Sequence, residues 1–94
     1  MELLDDDLRG RLPALYANAA VADPLVVCRF FLPGTGWSWY ALEFDGNDVF
    51  FGYVIGDDAE LGYFSLQELR ALQGPYGGVE RDYYFEARPF SEAV

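Results

Sequence analysis

The sequence contains no histidine and no lysine, a single cysteine, and no apolar run of the length a membrane crossing needs. The missing histidine removes the commonest general base, the middle member of a nucleophilic triad and most transition-metal sites. The missing lysine excludes a Schiff base and the lysine of a phosphate-binding loop. One thiol, Cys28, allows neither an internal disulfide nor a thiolate zinc cluster. It lies between Val27 and Arg29 in a strand-like run, the setting of a small core residue rather than of a nucleophile. The opening Met1-Glu2-Leu3-Leu4-Asp5-Asp6-Asp7 lacks the positive start and apolar stretch of a secretory signal. A cytoplasmic protein is expected, with no cofactor and no metal.

Positive charge is also scarce. Six arginines face sixteen Asp and Glu, for a net charge of −10. Nucleic acid and anionic membranes would repel such a chain, so the expected partner is another protein. Solubility alone is a sufficient reason for acidity in many proteins. What the chain has in quantity is apolar and aromatic surface: 52% hydrophobic, with eight Phe, seven Tyr and two Trp. Ninety-four residues with that content form one domain with one core.

The pattern predicts an α+β domain, an antiparallel meander of three to five strands with short helices over about residues 5–18 and 65–73. Leu4, Leu8, Leu12 and Leu15 recur at helical spacing after Asp5, Asp6 and Asp7, which suit a cap and first turn. Pro13 predicts a break near Leu12 and a second turn beyond it. Strands are expected over 25–32, 37–44 and 49–55, separated by Pro33-Gly34-Thr35-Gly36 and Asp45-Gly46-Asn47-Asp48 and closed by Gly56-Asp57-Asp58. A short strand over 61–64 and a final one over 83–87 complete the sheet. Ser65-Leu66-Gln67-Glu68 fits a capping box, Leu66, Leu69 and Leu72 give that helix an apolar face, and Gly74-Pro75 stops it. The expected core is Leu8, Leu12, Leu15, Val26, Cys28, Phe30, Tyr40, Leu42, Phe44, Val54, Phe64, Leu66 and Leu69.

Simple alternation puts Trp37, Trp39, Ala41 and Glu43 on one face of the second strand and Ser38, Tyr40, Leu42 and Phe44 on the other. In the third, Val49, Phe51, Tyr53 and Ile55 oppose Phe50, Gly52, Val54 and Gly56. Both faces are apolar, so either helices cover both or one aromatic face is left for a partner.

Few residues carry chemistry. Gly34-Thr35-Gly36 is a turn rather than a nucleotide loop, because no helix follows it. Asp45-Gly46-Asn47-Asp48 is hairpin chemistry and lacks the length and terminal Glu of a calcium loop. Glu80-Arg81-Asp82 reads as an ion-paired segment tying down the last strand. The turns of a meander place Asp45, Asp48 and Asp23 at one end and Asp57, Asp58 and Glu60 at the other.

Leu12-Pro13-x-Leu15-Tyr16, Asp23-Pro24, Trp37-x-Trp39-Tyr40-x-x-Glu43-Phe44-Asp45-Gly46, Phe50-Phe51-Gly52-x-Val54-x-Gly56, Glu60-Leu61-Gly62-Tyr63-Phe64-Ser65-Leu66-x-Glu68-Leu69 and Glu80-Arg81-Asp82 follow one another along the chain. In that series the sequence resembles a small bacterial family known only as a domain of unknown function, number twenty-nine fifty-eight. The resemblance implies proteins of about a hundred residues that sit on plasmids, phages and other mobile elements. It implies no activity and no catalytic residue.

The expected function is that of a non-enzymatic acidic protein that binds another macromolecule. In its sharper form it is an anti-defence inhibitor, anti-CRISPR or anti-restriction, occupying the basic nucleic-acid-binding surface of a protein complex. Asp45, Asp48, Asp57, Asp58 and Glu60 would supply charge, with Trp37 and Trp39 as anchors. One alternative is a small enzyme or ligand-binding domain with Glu43, Arg29 and Glu80 converging in a carboxylate and aromatic pocket. Another is a structural homodimer closed through the second aromatic face.

Overall fold

Runs of aromatic and β-branched residues between Asp- and Gly-rich turns favour a pleated sheet over a helix. In the computed structural model, which describes residues 2–94, they form an α+β domain with a five-stranded antiparallel sheet. The elements are α1 (Asp6–Arg11), β1 (Leu25–Val26), β2 (Cys28–Phe31), β3 (Ser38–Phe44), β4 (Val49–Ile55), β5 (Ala59–Ser65), α2 (Leu66–Ala71), β6 (Gln73–Gly74), β7 (Gly77–Gly78), β8 (Glu80–Arg81), β9 (Arg88–Pro89) and α3 (Phe90–Ala93). The sheet order is β5-β4-β3-β2-β8; β1 pairs with β9 and β6 with β7 in separate two-residue ladders. No helix among the described residues is long and apolar enough to cross a membrane.

The first helix is shorter than its leucine spacing suggests. Asp5 caps it by accepting the Leu8 N–H at 2.8 Å, and it ends at Arg11. Leu12 is forced into extended backbone, ψ 124°, because Pro13 follows. Leu15 therefore leaves the helical face and is only half-buried. The expected first strand splits at Val27, whose N–H turns to the Ala41 carbonyl. β5 is longer than expected, and 83–87 is not a strand; its place on the sheet is taken by β8, with β9 and α3 beyond.

The second helix follows its capping signal in part. Ser65 Oγ accepts the Glu68 N–H at 3.2 Å. No reciprocal bond from Glu68 back to Ser65 accompanies it among the described residues; instead Asp48 accepts from Gln67 N–H at 2.9 Å and from the Ser65 hydroxyl at 2.7 Å. That carboxylate fastens the β3–β4 turn to the start of α2.

One face of the sheet is closed. Leu3, Leu4, Leu8, Leu12, Leu66 and Leu69 pack on Cys28, Phe30, Trp39, Phe44 and Phe50, with Val54 and Phe64 at the margin. Phe50 has no exposed surface and sits 4.4 Å from the Phe44 ring and 5.0 Å from that of Phe64. Val26 and Leu42 are also buried, but outside this cluster. The opposite face is covered only in part. Phe85 packs edge-on against Tyr40 at 6.0 Å, and Phe90 against Tyr53 at 5.1 Å. Tyr40, expected in the core, is half-buried beneath that cover.

Strict alternation fails within β3. Ala41 faces Gly52, but the next pair is Glu43 with Phe51, then Phe44 with Phe50. The extra residue is a β-bulge, which puts Leu42 and Glu43 on the same side and returns Phe44 to the closed face. At the bulge the strands come close: a Cβ on Gly52 would lie 2.0 Å from the Tyr40 carbonyl oxygen.

Candidate functional site

Residues 13–22 follow α1 as consecutive tight turns, with the Ala17, Ala19 and Val21 N–H groups donating to the carbonyls of Ala14, Tyr16 and Asn18. Tyr16 is held at φ 69°, a left-handed conformation costly for an aromatic residue. The bulge supplies what holds it. Glu43 Oε1 accepts the Tyr16 N–H at 2.8 Å, and Oε2 accepts the Asn18 N–H at 2.8 Å. Phe44 N–H donates to the Pro13 carbonyl at 2.8 Å. At 5% exposure, Glu43 is a buried carboxylate whose two oxygens are both engaged by backbone donors.

Between these turns and the open face lies a groove of about 420 Å³. Leu42, Phe51 and Leu61 form an apolar floor, Glu43 a wall, and Tyr16 and Tyr63 a rim. The Tyr63 phenol pKa is raised, first by its hydrogen bond with Tyr16, then by burial and by electrostatic interaction with Tyr16 and Glu43. The arrangement suits apolar contact beside fixed negative charge.

The two acidic turns differ. Asp45 Oδ1 accepts three backbone N–H groups, from Asn47 and Asp48 at 2.8 Å and from Val49 at 3.1 Å. Its carboxyl pKa is lowered, chiefly by the Asn47 and then the Asp48 N–H. Asp48 is committed to α2. At the other end of the sheet Asp57, Asp58 and Glu60 are exposed and make no side-chain hydrogen bond or ion pair among the described residues. The sequence-predicted acids are thus two groups, one wired into the fold and one facing solvent.

The tryptophans part company as well. Trp39 is 5% exposed on the closed face and is not available to a partner. Trp37 is 39% exposed, stacks on Trp39 at 5.9 Å, and lies so close to the β4–β5 turn that a Cβ on Gly56 would meet its ring at 2.3 Å.

Glu43, Arg29 and Glu80 do not converge. Arg29 bonds Asp82 at 3.0 Å and Ser38 Oγ at 2.7 Å, with its guanidinium over Phe31 and Tyr40. Glu80 lines a separate hollow with Arg70 and Val79. The 80–82 segment is ion-paired as expected, Arg81 to Asp5 at 3.1 Å and Asp82 to Arg29. Cys28 is buried, and burial pushes its thiol up to about 12, which suits a core residue. Tyr16, Tyr63 and the groove were not foreseen. Tyr16, Glu43 and Tyr63 each stand in the motif series above, but nothing in their spacing joins them.

The family model described as "Protein of unknown function (DUF2958)" matches residues 3–92. No curated protein and no solved structure matches the chain.

Proposed function

We infer the function from the chain's own geometry, since the chain belongs to the DUF2958 family and that family's description assigns no activity. The protein is a non-enzymatic binding protein that docks onto a basic surface of another protein through the β4–β5 end of its sheet. Asp57, Asp58 and Glu60 supply the charge, and Trp37 beside them supplies a half-exposed aromatic anchor. Carboxylates replace phosphates on such a surface, so a protein that handles nucleic acid is the natural class of partner. In a mobile-element setting, occupying that surface inhibits the partner, as an anti-CRISPR or anti-restriction protein would.

One observation carries this reading: the acids of one turn are consumed by backbone donors, whereas those of the other hold no internal partner among the described residues. Asp45 and Asp48 therefore leave the binding set, and Trp39 with them. A catalytic role finds less support, because Glu43 is engaged on both oxygens and the Cys28 thiol is buried.

The test is affinity capture of host proteins by the wild type and by the double variant Asp57→Arg/Asp58→Arg, at about 0.05 and 0.5 M salt. A specific partner should be lost at high salt and lost on charge reversal, and its purified nucleic-acid-binding activity should fall when the wild type is added. Capture that ignores both salt and reversal overturns the electrostatic docking.

A further inference from the structure

We propose that the free edge of β5 is a strand-addition site for an extended, basic segment of the partner protein; this deepens the docking function above and rests on it. β5 ends the five-stranded sheet, seven residues long, with β4 on one side and no strand on the other. In an antiparallel pair, alternate residues turn their N–H and C=O groups away from the neighbour. Among the described residues, no turn, loop or cap bond reaches the backbone groups of 59–64 beyond the β4 ladder.

Proteins ordinarily blunt such an edge with proline, a very short strand, charged side chains or a covering element. The opposite edge obeys: β8 is two residues long and is tied down by the Arg81–Asp5 and Asp82–Arg29 pairs. β5 has no proline, and its side chains stay open, Leu61 at 54% and Tyr63 at 56% exposure.

The same residues define the occupant. On one side of β5, Leu61 and Tyr63 border the groove, so a guest strand would lay apolar side chains there. On the other side stands Glu60, and at the strand's start Asp57 and Asp58, so the alternate guest residues should be basic. A second copy fits worse. Antiparallel self-pairing about Gly62 would bring Asp57 and Asp58 of one copy beside residues 66–68 of the other, where Asp48 and Glu68 already lie. Each copy also carries −10.

The probe is a capped peptide alternating Arg and Val, about eight residues long, titrated into the ¹⁵N-labelled full chain. Expected are saturable shifts and slowed hydrogen exchange along 59–65, and an affinity loss of at least about tenfold when alternate peptide nitrogens are methylated. Methylation removes the ladder donors while leaving every charge in place. Equal binding of the methylated peptide overturns strand addition yet leaves charge-led docking standing. Methylation sensitivity that survives Asp57→Arg/Asp58→Arg unchanged keeps the edge site and overturns the role of the tip acids. No binding at about 1 mM peptide, or a dimer whose β5 amides are protected without peptide, overturns the proposal.

Discussion

Phe50 and Phe51 are neighbours in sequence and opposites in environment. Phe50 points into the closed face, with no exposed surface and aromatic rings on two sides; Phe51 points to the open face and floors a groove. The closed face is held by apolar burial, which has no direction. The open face is shaped by directed bonds, above all the Glu43 clasp on Tyr16 and Asn18. One face makes the fold stable, and the other makes a surface with a particular shape and charge.

The contrast is broken most strongly at Phe50. Phe50→Ala should cost about 3–5 kcal/mol, enough to unfold much of a marginal domain, because the cavity lies among rings that cannot collapse into it. Phe51→Ala, half-exposed, should cost less than half as much. Urea midpoints measured with unchanged slope would show the gap. Equal losses would mean that the open face is as tightly packed as the closed one.

Glu43 tests the directed side. Glu43→Gln keeps the size but offers one acceptor where two N–H donors converge, so one donor faces an NH₂ group. About 1–3 kcal/mol should be lost, from a change that removes no apolar surface. The rim should also respond. Tyr16→Phe should lower the Tyr63 phenol pKa most, by removing its main cause, and Glu43→Gln should lower it less. Ultraviolet titration of the tyrosines reads both shifts, and a reversed order would dismantle the proposed rim.

The two turns repeat the contrast on a smaller scale. Asp48→Ala removes acceptors from Gln67 and Ser65 at the start of α2 and should cost about 1 kcal/mol. Asp57→Ala should stay within about 0.5 kcal/mol. Thermal melts of the pair suffice, and a destabilising Asp57→Ala would reveal an internal duty for the outer turn.

How much of this was legible follows from the range of each interaction. The hairpins, the cap at Ser65 and the stop at Pro13 are local, set by residues a few positions apart, and the sequence displays them. The bulge at Leu42–Glu43 is not local. Leu42, Glu43 and Phe44 alternate acceptably either way, and only the packing of Phe44 against Phe50, with the pull of two donors on Glu43, selects the bulged register. The face assignment drawn from strict alternation therefore fails from residue 43 onward, and the groove with it. β8 escapes notice for the same reason: two residues reach their strand status by pairing with Phe30 and Phe31, fifty positions earlier. The acids were visible as residues, but which of them serve the backbone depends on loop geometry that spacing alone does not fix.

The mildest test concerns that last distinction. Asp45 is held below its ordinary value of 3.8 by N–H donors that exist only in the folded turn, Asn47 first. A carboxyl with a lower pKa folded than unfolded adds stability above its unfolded value, and that stability drains away as the pH falls through the folded one. Asp5, lowered chiefly by the Leu8 N–H, and Asp23, lowered chiefly by the Ser91 hydroxyl, act in the same direction. The domain should therefore lose thermal stability on acidification below about pH 4, even though protonation also relaxes the repulsion of its excess negative charge. Asp45→Asn keeps an acceptor oxygen but cannot titrate, so its melting temperature should start lower at neutral pH and fall less steeply in acid. Parallel acid limbs for the variant and the wild type would mean that the inner turn does not depend on this charge, and the division between acids that serve the fold and acids that face solvent would lose one of its two sides.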